Sequence, residues 1–389
     1  MIGLQALLLQ ITMEAAEDAP ILLDEYPGSS LRGALFEALL RRFCMNPTAP
    51  TCAACQLNAT CPVATLVAPL RDEGPRGRDI PRPFVLASAP TPTTVAAGAA
   101  HPIDSDMSAA AIIPPGGQYT FALTLVGRAC QFFPYIAMSL PTLEVTGLGR
   151  RQNGRRGRPR VVSVQACDPF TGATQALYQR GNAQVAEPTL VMTPERVAAR
   201  AATLPADRMT LHFRSPTRLI AQGQLMRRPD LRTLVARLSE RLDALTQEYG
   251  EPGVRAADVS AVTVALAATD TTGGVDAADT TEATGATEAT ARDRRRDDDE
   301  VWRRRWVLLE WAERARLTRD ETRWVDVASY SSRQRRATPI GGFVGRATYE
   351  GDLAALRELL VWGEIVHVGK NAVKGDGLYR IERDGEDAG

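Results

Sequence analysis

Lysine is almost absent from this chain of 389 residues: Lys370 and Lys374 are the only two among 46 basic residues, and all the others are arginine. The 46 acidic residues balance them, so the net charge is zero and does not by itself indicate a nucleic-acid partner. The position of the charges is therefore more informative than their sum. Both lysines lie in one short glycine-rich segment, where a compact ammonium group suits a tight loop that meets an anion.

Long apolar runs are also missing. No run reaches 18 residues, so no membrane span is predicted. The N-terminus has neither the basic stretch nor the cleavage site of a signal peptide, and it predicts a first strand instead. A cytoplasmic location is the expectation that follows.

Cysteine is too sparse for a disulfide scaffold, with six residues in the whole chain. Four of them nevertheless fall within residues 44–61 with the spacing C-x7-C-x2-C-x5-C: Cys44, Cys52, Cys55 and Cys61. This set predicts a structural zinc site, since no histidine nearby would leave the coordination open. An iron–sulfur cluster and four unligated thiols are the alternatives.

The order of periodic segments predicts an α+β fold of two tandem ferredoxin-like (RRM-like) domains. The N-terminal domain covers 1–166 and contains the Cys-rich insertion 44–61, and a connector covers 167–206. Residues 207–382 form the C-terminal domain, which reads strand, helix, strand, strand, helix, strand once a low-complexity insert at about 255–300 is removed. That insert is rich in Ala, Thr, Asp and Glu and is expected to be disordered.

The segment HVGKNAVKGDGLYRIE (367–382) contains three glycines: Gly369, Gly375 and Gly377. Glycine permits close approach of the backbone, so successive N–H groups can face phosphate oxygens, and Lys370 and Lys374 add charge. The spacing is neither that of a P-loop nor GxGxxG between a strand and a helix, which disfavours nucleotide binding of those kinds. A simple hairpin turn remains the alternative.

Arginines concentrate in two further places. Residues 150–160 carry six arginines and no acid, which predicts a flexible basic hairpin along an RNA backbone, with a solvated turn as the alternative. The six are Arg150, Arg151, Arg155, Arg156, Arg158 and Arg160. A second cluster, suited to base stacking and phosphate contact, is Arg333, Arg335 and Arg336 beside Tyr330.

Several motifs occur together in a familiar order: LRGALFEALLRRFC, CAAC, CPVATLVAP, PRPFVL, TGLG, RRGRPRVVSV, RWVDVASYSSRQRRATPIGGFVG and HVGKNAVKGDGLYRI. In this order they resemble the CRISPR precursor-RNA processing endoribonucleases of the RAMP superfamily, over nearly the whole chain apart from 167–205 and 250–300. The resemblance implies a C-terminal glycine-rich loop that contacts RNA. It also implies metal-independent cleavage of a CRISPR repeat that leaves a 2′,3′-cyclic phosphate.

Such cleavage uses the RNA's own 2′-OH and needs a base, an acid and a cation for the phosphorane. We predict His367 as base or acid and Lys370 or Lys374 as the cation; His367 also alternates with apolar residues, which would suit a strand residue. Many members of the family place a catalytic histidine near the first helix, and DEYPGSSLRGAL has none. Tyr26 and Arg32 are therefore further candidates.

Three functions remain open at this point. The first is the endoribonuclease, with CRISPR repeat RNA or crRNA and other CRISPR-associated subunits as partners, no membrane partner, and no cofactor needed for catalysis. The second, motivated by the missing histidine, is a non-catalytic RNA-binding subunit of a CRISPR effector. The third is a zinc-stabilised interaction module.

Overall fold

A computed structural model describes residues 3–69, 80–88, 111–182, 184–250, 301–331 and 336–382, with the backbone alone at 88, 111, 328–331 and 336–338. The predicted low-complexity insert, His101, Arg333 and Arg335 lie outside the described residues, and of Arg336 only the backbone is described.

The N-terminal domain is built on a five-stranded antiparallel sheet. The strands are β1 (Ala6–Ala15), β2 (Ile21–Leu23), β3 (Phe84–Ser88), β4 (Ala111–Ile113), β5 (Gln118–Val126), β6 (Leu148–Gln152), β7 (Arg155–Gly157), β8 (Pro159–Cys167) and β9 (Thr174–Gln179). The sheet order is β9-β8-β1-β5-β3, whereas β2 pairs with β4 and β6 pairs with β7. Without β9, this is the 4-1-3-2 order of a ferredoxin-like unit.

Helices cover one face of this sheet. They are α1 (Gly28–Phe43), α2 (Pro62–Val67), α3 (Phe133–Ser139) and α4 (Leu143–Thr146). In α1, Leu31, Leu35 and Leu39 recur every fourth residue and are buried against β1. The helix begins directly after Pro27, and Ser29 and Ser30 lie in its first turn.

The C-terminal domain repeats the pattern after the linking helix α5 (Pro194–Ala202). Its strands are β10 (Arg208–Thr217), β11 (Leu219–Ala221), β12 (Gln224–Met226), β13 (Arg316–Val325), β14 (Ala328–Ser331), β15 (Arg336–Pro339), β16 (Gly342–Glu350) and β17 (Tyr379–Ile381), and its helices are α6 (Leu231–Tyr249), α7 (301–314) and α8 (Arg357–Val366). The sheet order β13-β16-β10-β17 is again ferredoxin-like, with every neighbour antiparallel. The predicted fold of two tandem ferredoxin-like domains is therefore confirmed. Within the described ranges, none of the helices combines the length and the apolar character needed to cross a membrane.

The two domains are packed against each other. Leu4, Ala6 and Leu8 at the start of β1 belong to the same buried cluster as the core of the C-terminal domain. The end of α6 adds polar contacts, since Tyr249 donates from its hydroxyl to Pro81 O at 2.9 Å. This packing brings the start of α1 and the loop before β17 to the same junction.

Candidate functional site

The glycine-rich loop (residues 367–378) joins α8 to β17 and lies between the two domains. On one side, the backbone of Lys374 rests on Gly28, where an added Cβ would be 1.4 Å from the Lys374 carbonyl oxygen. On the same side, a Cβ at Gly375 would be 2.7 Å from Leu86 O in β3. The loop is therefore part of the joint between the domains as well as an exposed turn.

The glycine amides have a different role from the one predicted. The N–H of Gly375 donates to Ala372 O and that of Gly377 donates to Pro216 O, each at 3.0 Å. Gly377 has a φ of 72° and a Cβ there would lie 1.8 Å from Val368 O, so its lack of a side chain permits the close crossing of the loop on itself. The prediction that these amides face phosphate is wrong for Gly375 and Gly377, because both are used inside the protein.

Five polar side chains meet at this joint, and we call them the junction cluster: Tyr26, Arg32, Arg82, Lys374 and Asp376. Tyr26 and Arg32 come from the start of α1, Arg82 precedes β3, and Lys374 and Asp376 come from the glycine-rich loop. Each interacts electrostatically with at least one other member. The cluster contains three cations, Arg32, Arg82 and Lys374, which act electrostatically on one another, and such a group of cations can bind a phosphate group.

Desolvation sets the protonation of these groups. Burial lowers the pKa of Arg32 to about 10, with Arg82 acting in the same direction, so Arg32 remains charged near neutral pH. Burial also lowers the pKa of Lys374, as do Arg32 and Arg82, while Asp376 opposes the shift. Burial raises the pKa of Tyr26 to about 12, so its phenol stays protonated and can donate a hydrogen bond.

Asp376 is the acid of the cluster and is only 1% exposed. Burial raises its pKa to about 8, and hydrogen bonding to Asn371 and the charge of Lys374 offset part of the shift. At neutral pH the carboxyl group is therefore mainly neutral.

His367 hydrogen-bonds to the backbone of Asp376, but its side chain is buried behind the cluster and is not one of the five. It is 2% exposed and lies at the end of α8 with a φ of 60°. Burial, with the charges of Arg380 and Arg241 acting in the same direction, lowers its pKa to about 3. Those two arginines donate to the carbonyls of Glu364 and Val366 at the carboxyl end of α8, where cations are favourable. The expectation of an RNA-facing histidine is thus corrected: His367 is a buried helix-end residue, and it lies outside any strand.

The other histidine and lysine candidates are also separated from the cluster. His212 lies on β10, half-buried, with Nδ1 3.3 Å from Glu382 Oε1. Lys370 is exposed, and its backbone N–H donates to Arg218 O in the C-terminal domain. Of the two lysines, Lys374 is the one at the joint with α1.

The predicted basic hairpin is formed by β6 and β7, with Asn153 and Gly154 as its two-residue turn, both at positive φ. Four of the six predicted arginines are paired with acidic side chains. The pairs are Arg150–Asp24 (2.5 Å), Arg156–Glu37 (3.8 Å), Arg158–Asp18 (2.5 Å) and Arg160–Glu144 (3.0 Å). The acids come from other segments, which the local sequence could not show. Within the described part of the chain, Arg151 and Arg155 at the tip are exposed and have no such partner.

Replacing both tip arginines by alanine is therefore expected to weaken RNA binding and to reduce the slope of log affinity against log salt by about 1 to 2, because each arginine neutralises about one phosphate. The matched control replaces Arg150 and Arg158, whose charges are already paired with Asp24 and Asp18. Titration of labelled RNA at several salt concentrations measures both effects. Equal slopes for the two double variants would contradict an RNA-contacting tip.

The predicted zinc site is not supported. Among the residues that the structure describes, no three His, Cys, Asp or Glu side chains are arranged to hold a metal ion, and the cysteines are free thiols. Cys44 lies at the end of α1 and Cys61 at the start of α2, while tight turns between them place Cys55 Sγ 3.6 Å from Asn46 Nδ2. The spacing allowed a tetrahedral set, but the turns hold the thiols apart.

Two tandem ferredoxin-like domains with a glycine-rich loop at their joint are the architecture that the resemblance to the RAMP superfamily implied. Residues 211–379 match the family model of the CRISPR-associated endoribonuclease Cas6, and residues 4–190 match a model described as an N-terminal domain. The Cas6 match covers the C-terminal domain, and it supports the resemblance to the RAMP-superfamily endoribonucleases that the sequence indicated. No curated protein matches the chain.

Solved structures show distant similarity. Cas6 from Thermus thermophilus is 16% identical, with a TM-score of 0.45, and the match covers 97% of this chain and 99% of that one. A chain of a partial Cas6-RT-Cas1–Cas2 complex is 14% identical, with a TM-score of 0.48, over 100% of this chain and 48% of that one. A RAMP protein binding different RNA substrates is 10% identical, with a TM-score of 0.41, over 97% and 100%.

Two members of the cluster were not singled out as site residues from the sequence. Asp376 is the only acid between Ile365 and Ile381, and this isolation among glycines and lysines was an available signal. Arg82 belongs to the quoted motif PRPFVL, but nothing local indicates that it meets Lys374.

Proposed function

We propose that this protein is an endoribonuclease that binds CRISPR repeat RNA at the junction cluster and cleaves precursor crRNA there. The observation that carries the proposal is the meeting of Tyr26, Arg32 and Lys374 in a chain with a Cas6-family domain. In this proposal the 2′-OH gives its proton to water as its oxygen attacks the adjacent phosphorus, the bond from phosphorus to the 5′-oxygen breaks, and the 5′-oxygen takes up a proton from water, which leaves a 2′,3′-cyclic phosphate. The reaction requires no metal ion.

Charge and position supply most of the catalysis in this proposal. Lys374 and Arg32 stabilise the additional negative charge of the phosphorane, and both are partly shielded from water, which strengthens the interaction. Tyr26 donates from its protonated phenol to a phosphate oxygen or to the departing 5′-oxygen. The remaining contribution is the alignment of the 2′-OH with the phosphorus. The glycine-rich loop and the start of α1 provide the two walls that hold the RNA in this alignment.

The second candidate function is RNA binding without cleavage. One observation favours it: within the described residues, neither His212 nor His367 belongs to the junction cluster. A binder of this kind would retain the arginines of the hairpin tip and Lys374 as phosphate contacts. In either function we propose other CRISPR-associated subunits as protein partners.

Incubation of the purified protein with repeat RNA in EDTA tests the proposal. The expected result is one cut within the repeat, a product that ends in a 2′,3′-cyclic phosphate, and no cleavage when the nucleotide that supplies the 2′-OH is replaced by its 2′-deoxy form. Tight binding with no product in EDTA or with added Mg²⁺ would favour the non-catalytic subunit. Cleavage of the 2′-deoxy substrate would contradict attack by the 2′-OH.

A further inference from the structure

The carboxyl group of Asp376 is buried without full hydrogen bonding. It stands between Gly375 and Gly377, and within the described residues its Oδ2 has no hydrogen-bond partner, although Asn371 hydrogen-bonds to the same carboxyl group. An ionised carboxylate in such a position loses its hydration without adequate compensation, whereas a neutral carboxyl group loses much less. The geometry therefore favours the protonated form.

Asp376 faces groups from every element around the joint. Lys374 and Asn371 come from its own loop, His367 at the end of α8 hydrogen-bonds to its backbone, and Tyr26 approaches from the segment before α1. Further charges act on these neighbours: Arg32 and Arg82 on Lys374, and Glu25 and Arg323 on Tyr26. Lys374 is therefore the ammonium group that an ionised Asp376 would attract.

We propose that Asp376 is a positioning residue that works in its neutral form. When it is protonated, it supports the loop and leaves Lys374 available to bind an RNA phosphate. When it is ionised, it competes with that phosphate for Lys374. The inference rests on the proposed function, because it requires RNA at the junction cluster. It assigns Asp376 no direct contact with the substrate, since the side chain is buried.

The direction of the pH dependence follows from charge. A phosphate bound beside Lys374 brings a second negative charge close to Asp376, so RNA binding favours the protonated carboxyl group. By reciprocity, RNA affinity falls as the pH rises through the pKa of the free protein, which is about 8. If the phosphate raises the pKa of Asp376 by about one unit, the total loss of affinity is about tenfold.

The stability of the folded protein also depends on pH through the ionisation of Asp376. Folding raises the pKa of Asp376 from its ordinary value of 3.8 to about 8, so the folded state binds the proton more tightly than the unfolded state. The stabilisation is complete below pH 3.8, decreases as the pH rises, and is lost by about pH 8. Asp376→Asn cannot ionise, so its melting temperature should exceed that of the wild type at pH 9 and equal it at pH 4.

The test measures the affinity for a repeat RNA that carries a 2′-deoxy nucleotide at the cleavage position, from pH 6.5 to 9.5 at constant ionic strength, by fluorescence anisotropy. We expect the wild type to lose about tenfold in affinity across this range. Asp376→Asn should lose almost none. The control Asp207→Asn changes an exposed acid directly before β10, and it should follow the wild type.

Deprotonation of Lys374 itself at high pH would produce a similar loss of RNA affinity. The variants Asp376→Asn and Lys374→Arg separate this cause from the ionisation of Asp376. Lys374→Arg carries a cation that does not titrate in this range, so it keeps the pH dependence if Asp376 is responsible. An unchanged profile in Asp376→Asn, or identical melting temperatures at pH 9, would overturn the inference while the proposed function stands. Absence of RNA binding at every pH would instead overturn the proposed function and this inference with it.

Discussion

Replacement of Lys374 by alanine is expected to slow cleavage of repeat RNA by about a hundredfold or more, because in the proposed function it removes the partly buried cation that stabilises the phosphorane. Burial and the neighbouring Arg32 and Arg82 act on this ammonium group, so its charge is poorly screened by water. Single-turnover cleavage in EDTA, with protein in excess, isolates the chemical step from binding. RNA affinity should fall by a smaller factor, because Arg32 and Arg82 remain.

Lys370→Ala is the matched comparison for Lys374→Ala, since it changes the same residue type in the same loop. Lys370 is exposed, and a much smaller loss of the cleavage rate is expected. His367→Asn extends the comparison, because asparagine removes the imidazole and keeps a side chain that can hydrogen-bond. Equal losses for the two lysine variants would remove the special role of Lys374. If a folded His367→Asn protein has lost all cleavage activity, the proton transfer must be assigned to His367.

Replacement of Gly28 by alanine is expected to separate the glycine-rich loop from α1. The added methyl group would lie 1.4 Å from Lys374 O, and backbone atoms at that distance must move. Overpacking of this kind typically costs about 1–3 kcal/mol of stability. Because the displaced loop carries Lys374 away from Arg32, cleavage should fall together with stability.

Gly33→Ala provides the control within the same helix. Nothing lies within 4 Å of a Cβ at Gly33, so the change should raise stability by up to about 1 kcal/mol through helix propensity. Thermal unfolding and the EDTA cleavage assay are to be measured on both variants. If Gly28→Ala cleaves RNA at the wild-type rate, the contact between the loop and α1 is not needed for the site.

The fold could be predicted because the two domains repeat a pattern that local sequence determines. The spacing of Leu31, Leu35 and Leu39 requires one buried face on a helix, and the order of strands and helices around such faces matches the ferredoxin-like unit. The dipeptide Asn153-Gly154 likewise indicates the turn of the basic hairpin. These features depend on neighbours within a few residues of each other.

The failures of sequence reasoning share one cause: they concern partners that are distant in the chain. His367 stands beside a glycine-rich stretch, but burial beneath Arg241 and Arg380 depends on how α6 and β17 pack on α8. The arginines of the hairpin met acids from β2 and α1, and the four cysteines were separated by turns. Spacing describes which side chains can meet; it does not describe what surrounds them.

The sequence by itself determined the elements, their order, the family resemblance and the residue types available for phosphate binding. Only the tertiary structure decided which of those residues share a site, because it alone brings the start of α1 against a loop more than three hundred residues further along the chain. It also decided their charge states: the same burial that makes Asp376 neutral keeps Tyr26 protonated and lowers the pKa of Lys374. Desolvation depends on all the atoms around a group, and those atoms are contributed by both domains.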